Sequence, residues 1–434
     1  MFARAFTFAV AVVLGLGLAA AAAGCEKPSH ENIDKWLTTS KGPGKLAKAF
    51  ADEDLDPELS AHAGANLIRK QKDPDFRKAL EGMSPARRTQ LVGVLARQLW
   101  NLARIEDPKL LPGPEQSAAK DALVFIRKWA DDARRAEIDG YLLDWYAVAS
   151  YEARATSGMS TGASVIRLIG PAAAKRMTSV VNAVIAEPGQ ETTKNKIHDE
   201  LLLALAASGS PEAVRHILDI ARLDRGDKTL ATRALAQLYT AYADPHSPIE
   251  LVPPAPLVPN LPELVAIVKD PNQPGAVLNN ALALIRAVGG RPCVEQLVPL
   301  IPVPQREAKF KYVVATFALR CGGPASIGQV FHAMPDPGAY EQAELGSMLQ
   351  EISRMPARPE VQAALRPLLD DKSTVVRWLA MEALAAIKST EDAPRIAALS
   401  GRTERLTGYW GETGKQDPTL GQRAKELAEQ LSSR

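Results

Sequence analysis

Apolar residues recur four apart along much of the chain, in a large–small–large order. Val376, Ala380 and Leu384 form one such stripe, and Leu59, Ala63 and Leu67 another. Ile197, Leu201 and Leu205, Leu230, Ala234 and Leu238, Val277, Ala281 and Ile285, and Phe310, Val314 and Ala318 continue the series. Residues four apart share one face of an α-helix, so each stripe predicts an amphipathic helix. The small residue at its centre lets a second helix approach closely. Before most of these helices lies a shorter apolar segment that opens with proline, at Pro211, Pro262, Pro292, Pro324 and Pro359. Proline suits a helix's first turn and glycine the position just past its end. Gly289-Gly290 and Gly322-Gly323 supply the second signal, 33 residues apart, and the last three proline intervals are 30, 32 and 35 residues. A period of this length predicts repeated helix hairpins, each burying its apolar face only by stacking on the next.

The segment from Leu368, LLDDKSTVVRWLAMEALAAIKS, carries the pattern most fully. With aspartates at its turn (Asp370, Asp371) and Arg377 early in the second helix, it resembles the HEAT repeat family. The resemblance runs from about Pro211 to Leu399 and is looser from Asn32 to Ser208. It implies an all-α fold, a right-handed α-solenoid of stacked antiparallel helix hairpins, with the second helices lining the concave face. On that implication the candidate partner-binding residues are Lys311, Tyr312, Arg377, Trp378 and Met381, with Tyr409 and Trp410 in a C-terminal loop. The competing expectation is that the aromatics only fill gaps between stacked helices.

The chain begins MFARAFTFAVAVVLGLGLAAAAAGC, with one charge, Arg4, before Glu26. The run ending AAGC resembles the lipobox of bacterial lipoproteins, with Ala22 where that family favours leucine. It implies lipid on Cys25. Cleavage in the same alanine run, or an uncleaved anchor, are the other readings. Each puts the remainder outside the cytoplasm, and Glu26 after the cysteine implies the outer membrane for a lipoprotein. The expected organisation is a signal peptide over 1–24, a lipidated tether over 25–42, divergent helical repeats over 43–209 and a hairpin over 210–243. A Pro-rich excursion over 244–262, further repeats over 263–400 and a loop with a capping helix over 401–434 complete it. The excursion holds seven prolines and is expected to be extended rather than helical.

Charge and chemistry narrow the function classes. The chain has 434 residues, of which 52 are basic and 50 acidic, so no electrostatic case for nucleic acid arises. Ser160 within GMSTG matches a nucleophile elbow, but a helical segment precedes it where the elbow needs a strand. Asp52, Asp54 and Asp56 imitate the start of a calcium loop, yet Pro57 stands where its glycine belongs, and a solvated capping turn is the alternative. No histidine pair has a metal-ligand spacing, so neither metal nor other cofactor is expected. Cys293 and Cys321 could pair, but a helix-length mismatch of roughly 10 Å favours two buried thiols. The expected function is a non-catalytic, lipid-anchored scaffold that binds another protein of the bacterial envelope. The alternatives are a lyase-like or other enzyme on HEAT-like repeats, or a purely structural envelope lipoprotein.

Overall fold

In a computed structural model the described residues are 26–107, 110–148, 150–186, 198–222, 228–303, 308–334, 342–409 and 415–433. The expected signal peptide, Cys25 and Trp410 lie outside them. The chain divides into two compact units, one up to Ile169 and one from Gly170. That boundary falls inside the stretch where the repeats are least regular. Among the described residues no helix is long and apolar enough to cross a membrane.

The first unit contains α1 (His30–Trp36), α2 (Gly42–Ala51), α3 (Pro57–Arg69), α4 (Asp73–Gly82) and α5 (Pro85–Ala103). It continues with α6 (Pro114–Ile126), α7 (Asp132–Tyr146), α8 (Tyr151–Ala155) and α9 (Gly162–Ile169). Proline at the first position of α3, α5 and α6 starts these helices without losing a hydrogen bond. Asp56, from the calcium-like run, caps α3 by accepting from the backbone N–H of Glu58 and Leu59 at 2.9 and 3.3 Å. Hairpin α2/α3 closes around Gly64. A Cβ there would lie 2.6 Å from the Phe50 ring, which in turn stacks on Phe76 with centroids 5.1 Å apart. Helices α1, α3 and α5 pack side by side in one row, and α2 and α4 pack against each other in the opposite layer.

The second unit contains α10 (Ala174–Ala186), α11 (Asp199–Ala207), α12 (Pro211–Ile220), α13 (Lys228–Tyr242), α14 (Leu261–Lys269), α15 (Gly275–Val288) and α16 (Gly290–Leu297). Then come α17 (Ala308–Gly322), α18 (Ile327–Ala333), α19 (Gln342–Ser353), α20 (Arg358–Leu365), α21 (Thr374–Ala386), α22 (Ala393–Ala397) and α23 (Leu420–Ser432). Helices α11, α13, α15, α17, α19, α21 and α23 form one continuous row, each packed on the next. The shorter helices form the other layer, α10 on α12, α12 on α14, α14 on α16 and α18 on α20. This is the two-layered hairpin stack of an all-α, HEAT-like solenoid. The predicted stripes are its core: Ala234, Leu238, Val277, Ala281, Ile285, Val314, Ala318, Val376, Ala380 and Leu384 are all buried. Gly289 and Gly323 adopt left-handed φ of 69° and 57°, which reverses the chain between helices with no Cβ to clash.

Two expectations are corrected. The Pro-rich excursion is not wholly extended, since Ala255–Asn260 forms a 3₁₀ helix that contains Pro259. Pro256 stands in its first turn, where no intrahelical donor is needed. The excursion packs back onto its own unit: Val252 N donates to Ala241 O at 2.9 Å, Leu257 is fully buried, and Asn260 Nδ2 donates to Pro211 O at 3.0 Å. Cys293 and Cys321 are joined in a disulfide, with Cα atoms 6.0 Å apart. The expected length mismatch shrinks for two reasons. α17 runs from Ala308 to Gly322, and Cys321 lies about 20 Å from Ala308 along it. The first helix of the hairpin ends in a 3₁₀ turn over Val298–Leu300. The greater rise of that turn carries the chain roughly 14 Å from Cys293 by Ile301.

Candidate functional site

The stripe expected to contact a partner in the second unit is closed. Trp378 and Met381 are 1% and 0% exposed, and Arg377, Tyr312 and Tyr409 are buried as well. Lys311 is half-buried. The expectation of an exposed contact face built from these residues is therefore corrected. Around Trp378 the reason lies in the C-terminal loop and helix. Helix α23 packs on α21, and Arg423 grips Glu382 with bonds of 2.7 and 3.0 Å. Trp378 Nε1 donates to the same carboxylate at 3.0 Å, and the Tyr409 ring meets the indole edge-on at 5.9 Å. Burial, with Glu382 adding to it, pushes the Tyr409 hydroxyl up to about 12. Arg377 serves the turn before its helix. It donates to Asp371 O at 2.9 Å and to Glu404 Oε1 at 2.9 Å. The aspartate and arginine on which the HEAT resemblance rests thus hold the hairpin turn.

The GMSTG segment is a loop between α8 and α9, with helices on both sides. Beneath it the fully buried Lys120 donates to Asp121 Oδ1 at 2.7 Å and to the carbonyls of Ser157 and Ser160 at 2.8 Å. Asp121 accepts from the N–H groups of Met159 and Ser160 at 2.5 and 2.9 Å, and Tyr146 donates to Ser160 O at 3.1 Å. Desolvation lowers the Lys120 pKa against the pull of Asp121, and it raises that of Tyr146. The loop is clamped from inside by a paired charge, and Met159 at its tip is 77% exposed.

An open face lies in the first unit, on the row α1, α3, α5. A groove of about 340 Å³ is lined by His30, His62, Asn66, Arg69, Gln98 and Asn101, among others. His62, Asn66 and Arg69 fall on one side of α3, and Gln98 and Asn101 on one side of α5, by helical spacing. Arg69 Nε bonds Glu115 at 2.8 Å, and Gln98 reaches Glu58 at 3.4 Å. Further along, Trp100 of α5 stacks on Tyr141 of α7 with centroids 5.2 Å apart, and Tyr141 donates to Glu137 at 2.8 Å. Trp100 and Tyr141 are both partly exposed. Sequence reasoning passed over this face, because its stripe on α3 was read only for its apolar side.

At the upper end of the groove the two histidines meet. His30 Nδ1 and His62 Nδ1 are 2.9 Å apart, and His62 Nε2 lies 2.8 Å from Asp34 Oδ1, which also accepts from Asn66 Nδ2 at 3.2 Å. Among the described residues no group of three or more His, Cys, Asp or Glu side chains is placed to hold a metal ion.

Fold and groove together define, over the described residues, an all-helical repeat protein with an open polar groove in its first unit. No family model matches the chain, and no curated protein matches it. Among solved structures it is similar to an engineered protein at 17% identity and a TM-score of 0.29, over 90% of this chain and 98% of that one. It is similar to human deoxyhypusine hydroxylase at 18% identity and a TM-score of 0.26, over 69% and 98%. It is also similar to Kap121p bound to Pho4p at 12% identity and a TM-score of 0.29, over 95% of this chain but 43% of that one.

Proposed function

We propose that the chain is a non-catalytic protein-binding scaffold whose contact face is the α1–α3–α5–α7 side of the first unit. One observation carries this reading: successive helices of one row leave Arg69, Gln98 and Asn101 along an open groove and the stacked Trp100–Tyr141 pair partly exposed. Tyr, Trp and Arg are the residues that concentrate binding energy at interfaces. Trp100 and Tyr141 hold one another in place, so little side-chain entropy remains to be lost on contact. The corresponding stripe at the end of the second unit is used for capping. In this reading lipid on Cys25 anchors the protein in the bacterial envelope, and a neighbouring envelope protein is the partner.

The test is mild cross-linking and recovery of the native protein from membranes, comparing wild type with Cys25→Ala and with a Trp100→Ala/Tyr141→Ala variant. One stoichiometric partner, lost in the groove variant while α-helical content is kept, supports the proposal. A partner retained at wild-type level in the groove variant sinks this face. Unchanged membrane retention of Cys25→Ala sinks the anchor.

A further inference from the structure

We propose that His30 and His62 form an open two-histidine site for a divalent transition-metal ion at the upper end of the groove. The inference is independent of the scaffold reading. Two imidazole nitrogens bound to one metal at about 2.0–2.1 Å stand about 2.9 Å apart at a right angle and about 3.4 Å apart at a tetrahedral angle. The Nδ1 atoms of His30 and His62 are 2.9 Å apart. The same distance serves as a hydrogen bond only when one ring donates and the other accepts. With the ring centroids 5.1 Å apart the two lone pairs face each other, so an ion with both rings as acceptors replaces that bond once the exposed His30 ring turns toward the groove.

The surroundings prepare His62 for this role. Its Nε2 faces Asp34 Oδ1 at 2.8 Å, so the Nε2–H tautomer is favoured and Nδ1 is left with its lone pair. Asn66 Nδ2 steadies the same carboxylate oxygen at 3.2 Å. This is the carboxylate–histidine arrangement that orients metal-bound imidazoles. His30 is placed by the start of α1, where the Ser29 side chain accepts from Asn32 N at 3.2 Å and Asn32 Nδ2 donates to Lys27 O at 2.9 Å. The two ligands are 32 residues apart in sequence and come from adjacent helices of the row. Imidazole donors with no carboxylate directly on the ion select Cu(II), Ni(II) or Zn(II) over Mg(II) or Ca(II). With only two protein ligands, the remaining positions are taken by water and open toward Arg69, Gln98 and Asn101.

The experiment is titration of the purified full-length chain with Cu(II) and Zn(II) by calorimetry, with electron paramagnetic resonance of the Cu(II) form. The expected result is one equivalent bound, with hyperfine structure from two imidazole nitrogens. His30→Ala and His62→Ala should each weaken binding at least tenfold, and Asp34→Asn about tenfold through loss of orientation. His246→Ala, at an exposed histidine elsewhere, should bind like the parent. Circular dichroism checks that each variant keeps its helices. Equal binding by the parent and the His30→Ala/His62→Ala double variant overturns the proposal and leaves the pair as a hydrogen-bonded clamp between α1 and α3. A single-nitrogen Cu(II) spectrum overturns it as well.

Discussion

Arg423 binds Glu382 through two nitrogens, at 2.7 and 3.0 Å, and so locks the last helix of the chain over the face of α21. Glu382 is almost buried, at 8% side-chain exposure, and Arg423 keeps 23%. Removing the guanidinium strands a carboxylate that only Trp378 Nε1 still satisfies. Arg423→Ala should therefore cost the second unit about 2–3 kcal/mol, toward the lower end for a broken buried pair because the arginine retains some water. The double change Glu382→Leu/Arg423→Met should recover most of that loss. Urea denaturation followed by tryptophan emission measures both, and a loss under about 0.5 kcal/mol for the single variant would show that α23 is not held by this pair.

The GMSTG loop leaves no room at its first residue. Gly158 has φ +78°, and a Cβ there would stand 2.3 Å from Asp121 Oδ2. Gly158→Ala should displace the carboxylate from Met159 N and destabilise the first unit by about 1–3 kcal/mol. Limited proteolysis should then cut faster at the exposed Met159. A cleavage rate equal to wild type would mean that the buried Lys120–Asp121 pair does not govern the loop.

The Cys293–Cys321 bond closes a loop with a sequence separation of 28. Its removal from the unfolded state's constraints corresponds to about 3–4 kcal/mol in the chain-entropy account. Reduction should lower the denaturation midpoint of the wild type and leave a Cys293→Ala/Cys321→Ala variant unaffected. Mass spectrometry under non-reducing alkylation provides the direct check: two modified thiols at these positions in the native, unreduced protein would contradict the bond.

Acid and mild base should act on different contacts. Glu26 accepts from Trp36 Nε1 at 2.9 Å and pairs with Lys35 and Lys45, which lowers its pKa from 4.5 to about 2. A lowered carboxylate contributes above its unfolded pKa and loses that contribution as pH falls through the folded value. Release of the 26–29 segment should thus develop between pH 4.5 and about 2, seen as a change in Trp36 emission that Glu26→Gln abolishes. His332 has the opposite sign. Its bonds to Gly328 O and Asp371 raise its pKa above 6.5. Its contribution is complete below 6.5 and is lost as pH rises through the raised folded value. NMR titration of His332 in wild type and Asp371→Asn tests this, and a midpoint in the wild type at or below that of the variant would refute it.

The sequence by itself determined the local elements. Proline begins α12 at Pro211 and stands second in α14 and α20, while Gly289 and Gly323 make the left-handed reversals. The Val376–Ala380–Leu384 spacing named a buried helix face, because periodicity and backbone sterics act within a few residues. Tertiary structure decided which of the remaining faces stay open. Trp378 looks like a contact residue on an isolated α21, and it is buried where the Tyr409 ring meets it and Arg423, some forty positions downstream on α23, binds the carboxylate it donates to. The cysteine pairing turned on where α17 begins and on a 3₁₀ turn, small changes of rise that a count of residues does not contain. His30 and His62 are unremarkable in sequence and meet only because α1 lies beside α3. Long-range packing sets such distances, so a pattern confined to one helix cannot encode them.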